Sequence, residues 1–292
     1  MGDLIVVVIL WRLWKIEQVE HKKELKLILA GIIVFIIAAG FDQWWHHTFG
    51  IDLTTWSPTH FALYTGTLIA QLGALLYISR DYVRHQSITI RLKRIYSLIF
   101  FILIFDSFWF PLLQQEQGVI TKYLLGLGVV PFAPDLSQVF FSSHVDPYGG
   151  IPLWVYGAWA AFSLALVLTL VKRLDLHRYG ATLVAGGYLA FRIVMNAVFA
   201  LVAYPTSTIP YYILIVAILF DYFFDLSIPQ HWKESLPLLT TVLIVNGVGL
   251  IATAYPTHPP IPLETILPSI AGVVIGALIA HIAYKKVFRG YL

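Results

Sequence analysis

The sequence predicts an all-α fold, a polytopic integral membrane bundle of about eight transmembrane helices. Three observations predict it. The 292 residues are 59% hydrophobic and only 12% charged, with mean hydropathy +0.78, and a soluble domain of this size carries about twice that charge fraction. Apolar runs of roughly 20 residues, the length that crosses a bilayer, recur along the chain. The polar connectors between them alternate sharply in basic content, as loops on the two sides of a membrane do.

Taken in order, residues 3–14 are a short apolar stretch with Arg12 and Lys15 close by, followed by a charged, helix-forming stretch to residue 26. The first 26 residues are read as an interfacial or cytoplasmic segment, the short apolar part lying in the interface rather than spanning. Residues 27–292 are read as a single transmembrane domain. Its expected spans are 27–45, 59–79, 95–115, 151–171, 180–203, 209–228, 236–255 and 264–284. The longest connector, about 116–150, is mostly apolar and is expected to fold back over the outer face. A weak repeat relates Ala203–Pro210 to Ala254–Pro262, two similar turns in which proline stops one helix and starts the next.

The connectors 11–26, 80–94, 172–178, 229–235 and 285–289 hold 17 of the 19 Lys and Arg residues. By the positive-inside rule these are expected to be cytoplasmic, with both termini on the cytoplasmic side of the cell membrane. His46, His47, His60, His144 and His258 then fall on the outer side. Trp44, Trp45, Trp56, Trp109, Trp154, Tyr204 and Tyr255 lie near span ends, as an aromatic belt does. The net charge of +3 gives no sign of a nucleic-acid partner. The expected partners are the lipid bilayer and other membrane subunits. With no cysteine in the chain, thiolate ligands, disulfides and iron–sulfur clusters are excluded.

The stretch Phe41–His60 stands apart. Asp42 and His46 are four residues apart and share a helix face. Ser57-Pro58 is a helix start, with serine as cap and proline at the first helical position, which puts His60 in the first turn. A carboxylate and two imidazoles at one junction make a ligand set for copper, zinc or iron. The plain alternative is that these groups meet water at a helix end. His47 is a further candidate if the helix unwinds at its end, and otherwise a group behind the ligands. His144, in Ser-Ser-His-Val-Asp146-Pro, is either an added ligand or part of an Asx-type turn.

This stretch resembles the C subunit of the copper membrane monooxygenases, the particulate methane and ammonia monooxygenases. That subunit places Asp-x-x-x-His at one helix end, then a hydrophilic turn, then aromatic-x-Pro-x-His at the start of the next helix. Here D-Q-W-W-H and W-S-P-T-H are similar, with the second histidine one residue further along. The resemblance carries over Asp42, His46 and His60, with His47 as the alternative to His46. It covers about 20 residues and the flanking helices. The family's second ligand cluster has no clear counterpart, since Asn196 and Asn246 lack a histidine four residues on. The resemblance implies a copper-dependent subunit of an oxidoreductase complex that activates dioxygen to hydroxylate a small apolar or neutral substrate.

Two other functions fit the composition. A transporter or channel would use the polar residues inside the spans, Asp106, Arg192, Asn196, Asp221 and Asp225, as a path. Those residues should then face one cavity; a structural role would instead pair them, for instance Arg192 with Asp106 or Asp221. A cofactor-free anchoring subunit of a respiratory complex would use the histidines only as polar contacts to a partner. His281 has no second histidine at matching depth to hold a haem.

Overall fold

The computed structural model describes residues 22–49, 57–85, 90–109, 153–174, 178–202, 209–226 and 266–288, together with residues 11 and 15. Among the described residues every regular element is helical. The helices are α1 (Lys22–Phe49), α2 (Pro58–His85), α3 (Ile90–Trp109), α4 (Leu153–Arg173), α5 (Gly180–Leu201), α6 (Tyr212–Asp225) and α7 (Ile266–Ala283), the last continued by a π-helical turn, Tyr284–Phe288. Each coincides with an expected span. The expected span 236–255, the loop 116–150 and most of the first 26 residues lie outside the described residues. Three stretches, Lys22–Thr48, Pro58–Ser79 and Gly180–Leu201, are long and apolar enough to cross a membrane.

α1 starts at Lys22, before the apolar run expected from residue 27. Lysine, glutamate and leucine all favour helix. The added turn also packs, since Glu24 and Leu25 are buried. The tryptophans near the helix ends differ in burial. Trp44 is exposed, but Trp45 and Trp109 are buried. Trp45 lies seven residues after the buried Ala38, so helical periodicity turns it inward.

The helices fall into two compact units. The first holds α1, α2 and α3 as far as Phe108. Here α1 and α2 run antiparallel along a seam of small residues. A Cβ added at Gly31 would meet the Ala70 nitrogen and come within 2.6 Å of the Gly66 oxygen. One added at Gly73 would lie 3.1 Å from the Glu24 oxygen. Only glycine permits backbones to approach so closely, and such seams are a common means of helix association in membranes. The opposite face of α1 exposes Ile33, Ile37, Phe41 and Trp44, apolar surface suited to lipid. α3 joins α2 through a hydrogen bond from Ser107 Oγ to Gln71 Oε1 (3.1 Å).

The second unit holds α4 to α7. α4 is its interior helix: Ala160, Ala161, Leu164, Ala165, Val167, Leu168 and Val171 are buried on all sides of it. A helix apolar all round belongs in a core. α7 packs on α4, with Gly276 lying against the Ala158 backbone. α5 and α6 pack together, and Val184, Ala185 and Tyr188 of α5 and Ile213, Val216 and Phe220 of α6 are buried.

Candidate metal centre

The end of α1 and the start of α2 supply the site. Asp42 and His46 occupy successive turns of α1 on one face. At the other side, Ser57 opens α2. Its carbonyl oxygen accepts from the Phe61 N–H (2.9 Å), and its Oγ accepts from the His60 N–H (3.3 Å). This is the serine cap with proline at the first helical position that the sequence predicts. It fixes His60 in the first turn.

The two segments converge. Asp42 Oδ1 lies 3.4 Å from His60 Nε2 and 3.7 Å from His46 Nε2. The two imidazole rings stand edge to face, 5.5 Å between centroids at 77°. One donor atom from each of Asp42, His46 and His60 falls within 4.8 Å of the others. A tetrahedral ion with bonds of about 2.0–2.1 Å separates its ligand atoms by about 3.3–3.4 Å. The carboxylate–imidazole distances are therefore near those that a bound ion needs. The three side chains are 18%, 27% and 19% exposed, so the site is sheltered yet open on one side.

The donor set fits a borderline transition metal. Imidazole suits zinc, copper and iron, and the single carboxylate adds one negative charge. Of the remaining candidates, His47 is exposed and does not join the converging atoms. It is five residues from Asp42, which takes it off the shared face. His144 lies outside the described residues, as do Asp146 and His258.

A second polar cluster occupies one end of the other unit. Lys172 Nζ on α4 lies 3.1 Å from Asp221 Oδ1 and 3.4 Å from Asp225 Oδ1, both on α6. Asp221 also accepts from the Thr182 N–H (2.8 Å), the Thr182 hydroxyl (2.7 Å) and the Ala181 N–H (3.4 Å). It thus caps the start of α5, where a carboxylate is favoured by the free N–H groups and the helix dipole. Asp225 in turn meets Arg178 Nε at 3.0 Å. Asp221 therefore pairs with Lys172, not with Arg192, which lies three turns further along α5. The pairing is structural: three helices are fastened at one point.

Thr59 and Lys172 are among the participants that residue patterns alone do not single out. Thr59 Oγ1 donates to Asp42 Oδ1 at 2.6 Å. Its signal in the sequence is slight, a hydroxyl residue between the helix-starting proline and His60. Lys172 reads as one more cytoplasmic charge until the helices are assembled. This chain matches no family model, no curated protein and no solved structure, so the geometry of Asp42, His46 and His60 is what the functional reading rests on.

Proposed function

We propose that this chain is a multi-pass membrane protein that binds one transition-metal ion through Asp42, His46 and His60. Copper is the ion that the resemblance favours, with zinc and iron as alternatives. One observation carries the reading: a carboxylate and two imidazoles from two helices bring their donor atoms within 4.8 Å of one another.

The charge pattern along α1 supports an orientation. Lys22, Lys23 and Lys26 stand at its start, and Asp42 and His46 near its end. Roughly 20 residues of helix span about 30 Å, the thickness of the hydrocarbon core. With the lysines on the cytoplasmic side, the metal ligands reach the outer face.

Three protein ligands leave a coordination position for a small molecule, as catalytic metal sites do. A bound ion would supply Lewis acidity and, as copper or iron, one-electron chemistry. Asp42 contributes a charge that offsets that of the cation, and His46 and His60 contribute neutral nitrogen donors. Partial burial limits the access of water. The resemblance to monooxygenase C subunits extends the reading to dioxygen activation within a complex whose other membrane subunits deliver electrons. A polar transport path is favoured less, because Asp221 and Asp225 pair with Lys172 and Arg178.

The test is elemental analysis of the purified protein beside Asp42→Ala and His60→Ala. Close to one copper, zinc or iron per chain, lost in both variants, is the expected result. Absence of stoichiometric metal after reconstitution under oxidising and reducing conditions would overturn the reading and leave the anchoring role.

A further inference from the structure

The carboxylate of the site is held by groups that are not themselves ligands. Thr59 Oγ1 donates to Asp42 Oδ1 at 2.6 Å, a length typical of a charge-assisted O–H···O bond. The accepting oxygen is the one that faces both imidazoles, at 3.4 and 3.7 Å. A threonine hydroxyl has one proton, and Asp42 receives it. The 3.3 Å contact between Ser57 Oγ and Thr59 Oγ1 must therefore run from Ser57 to Thr59. Ser57 Oγ accepts from the His60 N–H. A directed chain results, from the His60 backbone through Ser57 and Thr59 to Asp42. Every donor in it points at the carboxylate, and such chains reinforce each link. Ser57 and Thr59 are both 0% exposed, so water does not compete for these bonds.

We propose that Thr59 is the positioning residue of the metal centre: its hydroxyl locks the Asp42 carboxylate so that Oδ1 binds the ion as a single-oxygen ligand. This rests on the metal-binding reading of Asp42, His46 and His60. One lone pair of Oδ1 is engaged by Thr59, and the other is left toward the imidazoles. Two effects oppose each other. Donation by Thr59 draws electron density from the carboxylate and weakens its bond to the ion. It also fixes the carboxylate in the binding orientation, which removes an ordering cost. Removing such partners behind metal ligands lowers affinity about 10–100-fold, so orientation outweighs the electronic term. The chain also ties the two ligand-bearing helices together, because it begins on α2 at His60 and ends on α1 at Asp42.

The experiment titrates Cu(II) and, separately, Zn(II) into the full chain in detergent. It compares wild type, Thr59→Val, Thr59→Ser and Asp42→Ala, and records the Cu(II) electron paramagnetic resonance spectrum of each. The expected result is an affinity about 10–100-fold lower and an altered copper spectrum in Thr59→Val, with both restored in Thr59→Ser. A role limited to packing would leave the spectrum unchanged. Thr59→Val binding within twofold of wild type, while Asp42→Ala loses binding, would overturn the positioning role and leave the metal site standing. If wild type takes up neither ion, nor Fe(II) added anaerobically, the metal-binding reading fails and the proposal with it. If Thr59→Val does not fold, Ser57→Gly decides. It keeps an acceptable helix cap and removes the donor behind Thr59. A shifted copper spectrum in that variant supports the chain, and an unshifted one overturns it.

Discussion

Gly66 abuts the backbone of Phe35: a Cβ at Gly66 would lie 2.6 Å from the Phe35 nitrogen and 2.8 Å from the Gly31 oxygen. Asp42 is seven residues beyond Phe35, and Thr59 is seven residues before Gly66. This close approach of α1 and α2 is thus two turns from Asp42 and Thr59, on the same faces. A leucine at Gly66 must push the helices apart. Gly66→Leu is expected to destabilise the protein by about 1–3 kcal/mol and to lower metal stoichiometry, although position 66 touches no ligand. Unfolding in detergent and elemental analysis of the same sample check both effects.

The histidines of the site separate cleanly. His46→Ala and His60→Ala are each expected to lose the ion, whereas His47→Ala keeps it at the wild-type ratio. His47 is exposed and outside the converging set. Metal content per chain, measured on the three variants in parallel, decides between His46 and His47 as the ligand.

Lys172 and Asp221 form a pair whose side chains are only 5% and 4% exposed. Breaking a buried pair from one side strands a charge and costs about 3–5 kcal/mol. Lys172→Met and Asp221→Asn are each expected to destabilise the protein on that scale. The double variant is expected to lose less than the sum, because it strands neither charge. A double-mutant cycle on unfolding free energy gives the coupling directly. Equal additive losses would show that the pair is not coupled.

The hydrogen bond from Ser107 to Gln71 gives a contrast in magnitude. Neutral hydrogen bonds between membrane helices contribute about 0.6 kcal/mol on average. Ser107→Ala is expected to cost about that much and to leave metal content unchanged. A loss of several kcal/mol would mean that the bond fastens α2 to α3 far more strongly than such bonds generally do.

The absence of cysteine makes topology easy to read. His47→Cys is expected to react with a membrane-impermeant maleimide added outside intact cells. Lys286→Cys, near the π-helical turn, is expected to react only after permeabilisation. Labelling in the reverse order would invert the proposed orientation.

The helices were legible because apolar runs of membrane length leave little choice of structure. Their ends were less so. Lys22 to Lys26 read as a charged, helix-forming stretch ahead of the span, and the burial of Glu24 and Leu25 makes them the first turn of α1 itself. The convergence of Asp42, His46 and His60 was legible for two local reasons, the four-residue spacing of Asp42 and His46 and the capped start of α2. Thr59 was not singled out, since its meaning depends on which way α1 meets α2. The same applies to Lys172 and Asp221. They lie 49 residues apart, and only the register between α4 and α6 pairs them. The burial of Trp45 and Trp109 was not legible, because the aromatic belt is a rule about depth, and depth does not say which face of a helix is packed.

All three proposed ligands and both hydroxyls behind them lie between Asp42 and His60, within one helical hairpin. During synthesis this hairpin leaves the ribosome ahead of α3 to α7, and contacts so close in sequence form quickly. If the proposed ion binds, its site is complete once α1 and α2 have paired. Metal delivery would then be an early event of biogenesis, and a chain starved of the ion would carry the defect from its first folded intermediate onward.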